Sequence, residues 1–230
     1  MTSDNRWLDY WNGDVSVYVS KRHLMAHYKG LFADIQPLLP KSPFTLLDYG
    51  CGEALMAPSI AELGGRVLLY DRAEAKRTTL RNRFAGLPAI EILSDLHAAQ
   101  GACDVVLMIS VIQYVPKGQL PDLLRSLKAL LTPQGKLVIG DILSPDNSLV
   151  GDVRALLGFG MAEGFLFDAM KGLVKTLRSD YRQMRKQLGL SAYTISEIVG
   201  VLTECGFQPQ PLTKNIGHAR HRRSVVAGLK

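Results

Sequence analysis

Five short apolar runs, separated by segments with helical spacing, constrain this chain more than any other feature. They are FTLLDY (44–49), RVLLYD (66–71), AIEIL (89–93), DVVLMIS (104–110) and GKLVIGDIL (135–143). Runs this short and continuously apolar read as strands buried on both faces. Between them, SIAELG stops at Gly64 and EAKRTTLRNRF is basic and amphipathic. PKGQLPDLLRSLKALL repeats leucine at helical intervals until TPQG ends it. Strand alternating with helix predicts βαβ units around a parallel sheet.

The alternation breaks near Pro145. From there to Leu190 the residues predict only helices, rich first in Leu, Phe and Met and then in Lys and Arg. TISEIVGVLTECGF follows, with Thr194 and Glu197 at capping-box spacing and Gly206 as a stop. FQPQPLTK and SVVAGLK then read as two closing strands, joined by NIGHARHRR and expected to pair antiparallel. The length of 230 residues suits one domain with a sizeable core. We divide it into an N-terminal arm or lid (1–40), the sheet, and a helical cap (145–192).

With 47% apolar and 21% charged residues, the composition is that of a soluble globular protein. No run is long enough to span a bilayer, and MTSDNRWLDYWNGD lacks the basic-then-apolar order of a signal peptide. Cys51, Cys103 and Cys205 are odd in number and widely spaced. They suit neither a disulfide framework nor a cysteine zinc site. These features point to the cytoplasm. Residues 154–230 carry 12 Lys/Arg against 5 Asp/Glu, an excess that fits a solvated basic face or a surface for an anionic partner.

TLLDYGCGEA (45–54) holds the chemical question. A buried strand ends in Asp48 and turns on Gly50 and Gly52. In an open parallel sheet, ligands bind beyond the carboxyl ends of the strands, and Asp71 ends the next strand. A dinucleotide fingerprint needs a third glycine where Leu55 stands, and Asp48 would repel a pyrophosphate. No phosphate-binding GxxxxGK[ST] exists. A ligand with a cation for Asp48 and a ribose diol for Asp71 fits, and S-adenosyl-L-methionine has both.

Residues 40–143, with the closing strands, resemble the class I S-adenosylmethionine-dependent methyltransferases. LLDYGCGEA is similar to that family's D/E-x-G-x-G loop, LLYD to its acidic end of strand two, and LSDL (93–96) to its adenine-binding position. DVVLMISVIQYVP and LLTPQGKLVIGDIL are similar to its fourth and fifth strands. The resemblance implies a Rossmann-like, doubly wound α/β fold: a seven-stranded, mostly parallel sheet whose last strand is antiparallel. It implies cofactor contacts at Asp48, Gly50, Cys51, Gly52, Asp71, Arg72, Asp95, Leu96 and Ser110. Two departures are Ala54, where the family commonly has glycine, and Pro58, which should delay the first helix to Ala57.

Methyl transfer is an in-line displacement that depends mainly on alignment and exclusion of water, and a base is optional. On the acceptor side the arm offers Trp7, Tyr10, Trp11 and Tyr18 as a lid, with His23 or Tyr18 as catalytic candidates. His23 and His27 share a helix face, but without a carboxylate companion they are not read as metal ligands. Gln113, Tyr114, Phe165 and His218 are acceptor-binding candidates. Gln113 stands where related enzymes often carry histidine. The absence of an N/D-P-P-Y/F motif and of a Pro-Cys nucleophile disfavours nucleic acid, leaving a small organic acceptor. In the cap, Leu156, Leu157, Phe159, Met161, Phe165, Leu166, Phe167 and Met170 are expected to line an apolar pocket. Lys171, Lys175, Arg178, Arg182, Arg185 and Lys186 form a basic face beside it, suited to an acidic acceptor or a membrane surface. The rival readings are an RNA or protein methyltransferase, a non-catalytic cofactor-binding regulator, and a nicotinamide oxidoreductase.

Overall fold

The computed structural model describes residues 3–13, 18–146, 149–177 and 189–230. Its strands are β1 (Phe44–Tyr49), β2 (Gly65–Tyr70), β3 (Ile90–Ile92), β4 (Cys103–Ile109), β5 (Leu131–Ile142), β6 (Phe207–Pro211) and β7 (Arg223–Leu229). They form one sheet in the order β3-β2-β1-β4-β5-β7-β6. β1 to β5 are mutually parallel, and β7 is antiparallel to both β5 and β6. The expected strands are present.

Two strands depart from expectation for identifiable reasons. β5 begins at Leu131 rather than Gly135, because Leu131 already pairs with Cys103. The ladder then skips the Thr132–Gly135 excursion and resumes at Val105 with Lys136. β6 stops at Pro211. It carries Pro209 and Pro211, which cannot donate to a ladder, and it lies at the sheet edge where that is tolerated.

The helices are α1 (Ser3–Asn12), α2 (Lys21–Ile35), α3 (Ala57–Glu62), α4 (Glu74–Phe84), α5 (Leu120–Lys128), α6 (Leu149–Ala162), α7 (Leu166–Leu177) and α8 (Ile195–Glu204). α3 begins at Ala57, with Pro58 in its first turn. α8 carries the expected capping box: Thr194 Oγ1 accepts from Glu197 N, and Glu197 Oε2 accepts from Thr194 N.

Successive strand residues point to opposite faces, so the apolar runs supply two cores. Leu46, Val67, Val105 and Val138 face α2, α3 and α4 through Leu31, Ile35, Ile60 and Leu80. Leu47, Leu68, Val106 and Leu137 face α5 and α8 through Leu124, Leu127, Ile198 and Leu202. Each such side chain contributes about 1.5–3 kcal/mol on burial. Because β1 lies between β2 and β4, chain connections leave the sheet in opposite directions there. That opens a crevice beyond the carboxyl ends of β1 and β4.

Candidate functional site

A cavity of about 1220 Å³ occupies this crevice. Its floor is the loop after β1. Gly50 (φ +75°) and Gly52 (φ +56°) both take left-handed backbone. A Cβ on Gly50 would lie 2.5 Å from Val111 Cγ2, so no larger residue fits. Ala54 also sits in the left-handed region (φ +49°), which explains why glycine is common there in similar loops. The loop is held from two sides. Tyr28 Oη donates to Cys51 O (3.3 Å) and accepts from Glu53 N (3.0 Å), while Asp71 Oδ2 accepts from Gly52 N (3.1 Å). Glu53 is anchored by Lys76 and Arg83, each at 2.8 Å.

Two carboxylates meet here. Asp48 is buried, and burial together with Asp71 pushes its carboxyl up to about 7. Asp71 is raised as well, mainly by burial, although Ala73 N and Gly52 N donate to it. A desolvated carboxylate pair favours a cationic or hydroxyl-bearing ligand, because such a ligand supplies the missing compensation. Together with a left-handed glycine turn that is crowded at Gly50, this donor set fits a cofactor with an ammonium and a ribose diol.

Of the expected cofactor contacts, Asp48, Gly50, Cys51, Gly52, Asp71, Arg72 and Ser110 all line the cavity. Asp95 and Leu96 are not among its lining residues. Asp95 caps the short turn Leu96–Ala99, its Oδ1 accepting from His97 N at 2.9 Å.

The roof comes from the N-terminal arm. Trp7, Tyr10, Trp11 and Tyr18 line the cavity, and Trp7 and Trp11 meet the Tyr114 ring at 4.8 and 5.5 Å. His23, His27 and His218 form a side wall, with ring centroids 5.8–6.4 Å apart. Burial lowers His23 and His27 to about 4, and it also lowers His218, so all three are neutral at physiological pH. Burial holds the Tyr18 hydroxyl up at about 12. Neither catalytic candidate is therefore poised as a base. Gln113 donates from Nε2 to Ser110 O (2.8 Å), while its buried Oε1 lacks a partner. Among the described residues no cluster suited to holding a metal ion is found, and no helix is long and apolar enough to cross a membrane.

The cap differs from its sequence reading. Of its expected pocket-lining residues, only Leu156 lines the cavity. Phe165 lies behind the wall, stacked on His23 at 4.8 Å and packed with Ala26 and Ala169. Met161 of α6 (72% exposed) faces solvent, and so do Phe167 (79%) and Met170 of α7, whose inner face is the one carrying Ala169. Arg178, Arg182, Arg185 and Lys186 lie outside the described residues, as does the side chain of Lys175. Lys171, which is exposed, contributes to the cavity rim.

Sequence reasoning missed one cluster. Asp141, in left-handed backbone (φ +60°) near the end of β5, accepts from Ser110 Oγ (2.7 Å) and Arg222 Nη1 (2.8 Å). Arg222 Nη2 reaches Asp152 of α6 at 3.0 Å, tying cap to sheet. All four residues line the cavity. The available signal was an aspartate inside the apolar run VIGDIL.

Residues 21–210 match the model of a protein family described as Methyltransferase domain. A curated ubiquinone biosynthesis O-methyltransferase from Albidiferax ferrireducens is 28% identical over 187 residues, covering 78% of this chain and 69% of that protein. One of the same description from Xanthomonas euvesicatoria is 31% identical over 103 residues, and the match spans only 42% of its length. Among solved structures, the magnesium protoporphyrin IX methyltransferase of Synechocystis PCC 6803 with bound SAM has a TM-score of 0.59 at 15% identity. That match covers 100% of this chain and 98% of the other. A TehB-like SAM-dependent methyltransferase from Corynebacterium glutamicum has a TM-score of 0.54 at 14% identity, covering 99% and 98%. These two share the fold.

Proposed function

The chain belongs to the methyltransferase-domain family, and from that premise we propose that it transfers a methyl group from S-adenosyl-L-methionine to a small organic acceptor. The observation that carries this reading is the cradle at the switch point: a left-handed turn on Gly50 and Gly52, flanked by the desolvated carboxylates of Asp48 and Asp71. S-adenosyl-L-methionine, when bound, supplies an electrophilic methyl on a sulfonium. Asp48 takes the ammonium and Asp71 the ribose diol, while Gly50 and Gly52 allow close backbone approach. The α1 aromatics and the histidine wall exclude water and align the acceptor.

The size of the cavity supports a second ligand beside the cofactor, since it exceeds the roughly 300–1,000 Å³ of a single-ligand pocket. The names of the curated relatives favour a small-molecule acceptor. Pairing weakens the case for nucleic acid: Arg222 is spent on Asp141 and Asp152, and Arg220 on Asp34. The cytoplasm suits three free, buried cysteines.

Calorimetry tests the cofactor. S-adenosyl-L-methionine and its demethylated product should bind, and NAD should not. Asp71→Ala should weaken binding by about 1.5–3 kcal/mol, the range for a hydrogen bond to a charged group. Unchanged affinity in that variant would remove Asp71 from the ribose site.

A further inference from the structure

We propose that the outward face of the helical cap docks on an anionic phospholipid bilayer, so that the protein works at a membrane surface. The apolar residues concerned, Phe167, Met170 and Val174, lie outside the cavity, and their occupant does not depend on the methyl-transfer reading.

α7 is apolar on two sides. Its inner side carries Ala169, which clusters with Ala26 of α2 and with Phe165. Phe167, Met170 and Val174 recur at i, i+3 and i+7 on the other side, Phe167 almost fully exposed and the other two more than half exposed. Met161, at the end of α6, adds a fourth exposed apolar side chain beside the α6–α7 turn. Apolar residues scattered singly over a surface are ordinary, but a stripe along one helix face marks an interaction surface.

Cations border the stripe from two elements. Lys171 stands on α7 between Met170 and Val174 and is exposed. The start of α2 packs against the same hairpin: Arg22 Nη1 donates to Gly164 O (3.0 Å), and Val19 lies against Gly172, where a Cβ would collide with it. That brings Lys21 and Arg22, exposed with Met25 on one face of α2, to the edge of the cap. The acids of the hairpin do not cancel this charge. Asp152 is bound by Arg222, Asp168 is half-buried at the cavity, and Glu163 is left as the exposed one. Along the sequence the excess continues, residues 154–230 carrying 12 Lys/Arg against 5 Asp/Glu.

An apolar stripe bordered by cations suits a helix lying in the interface of an anionic membrane. Phe and Met enter the acyl boundary, while Lys and Arg stay at the headgroup phosphates. A second copy of this chain fits worse, because a two-fold interface sets Lys21, Arg22 and Lys171 of one copy against the same cations of the other. Docking in this way places the cavity rim, to which Asp168, Lys171 and Gly172 contribute, next to the lipid headgroups.

Flotation of the full chain with large unilamellar vesicles tests this, using phosphatidylcholine alone or with about 30% phosphatidylglycerol. The protein should float with the anionic vesicles and bind the neutral ones at least about 10-fold more weakly. Raising salt from about 0.05 to 0.5 M should weaken binding without abolishing it, since the apolar part is not screened. Phe167→Gln combined with Met170→Gln should lower vesicle affinity about 10-fold or more, and Lys171→Glu several-fold. The glutamine pair keeps helix propensity, so its melting temperature should match that of the wild type, and light scattering should find a monomer. No flotation with anionic vesicles would overturn the proposal in favour of a protein occupant, and binding untouched by the glutamine pair would overturn it as well. A dimer that the pair dissociates would assign the stripe to a second copy. A melting temperature clearly lowered by the pair would place the stripe inside the fold, and either result sinks the membrane assignment.

Discussion

Burial and the neighbouring Asp71 push the Asp48 carboxyl up to about 7, so near neutral pH it is partly protonated. Asp48 therefore costs stability as pH rises from the ordinary carboxylate range through about 7, where the folded state binds a proton that the unfolded state has lost. Asp48→Asn is expected to raise the melting temperature above pH 7 and to leave it unchanged near pH 4. The same substitution should weaken cofactor binding, a trade of stability for function. Wild-type affinity should rise with pH through this window, because a bound ammonium favours the ionised carboxylate. Calorimetry in buffers of different ionisation enthalpy checks this through proton release below about pH 7; no release would separate Asp48 from the ammonium. Gly50 allows a second test. Alanine there meets Val111 and must adopt left-handed backbone, which alone costs about 1–2 kcal/mol, so Gly50→Ala should lower denaturant stability by at least that much.

α1 and the cap enclose the cavity in different ways. α1 reaches it mainly through the aromatic contacts of Trp7 and Trp11 with Tyr114 and the bond from Ala75 N to Asn12 Oδ1 (3.3 Å). A short helix outside the sheet that roofs the cavity suits a lid, so α1 amides should exchange quickly without methyl donor and slowly with it. Equal protection in both states would make α1 fixed structure. The cap is tied more firmly, by Arg222 to Asp152, by Arg22 Nη1 to Gly164 O (3.0 Å), and by Phe159 stacked on His218 (4.8 Å). Replacing the cap with a short linker should abolish acceptor turnover while cofactor affinity holds, because the cradle belongs to β1 and β2. Surviving turnover would move selectivity to the arm.

Across the whole molecule, Arg222, just before β7, joins β5 to α6, elements distant in sequence. Removing it leaves two half-buried carboxylates without their shared guanidinium, Asp152 keeping the His221 ring at 3.0 Å. Arg222→Ala should cost about 2–4 kcal/mol, somewhat below the figure for breaking a fully buried pair, with Arg222→Lys intermediate. Urea denaturation measures this, and an unchanged midpoint would reduce the cluster to surface pairing.

The sheet, its strand limits within a few residues, the antiparallel last strand and the cradle from Asp48 to Asp71 were legible in the chain itself. Each is dictated locally, by apolar runs too short for helices, glycines where backbone must turn left-handed, and acidic residues at strand ends. Phe167 was misplaced for the opposite reason. Apolar character shows that a residue could be buried, but the packing of α7 decides which of its faces is inner. His23 was recognised, but its setting depends on the Val19 amide that donates to its Nδ1 and on rings brought from residues 165 and 218. Only the folded chain places those groups together, because tautomer, desolvation and lost hydrogen-bond partners are properties of an enclosed space and not of a sequence interval.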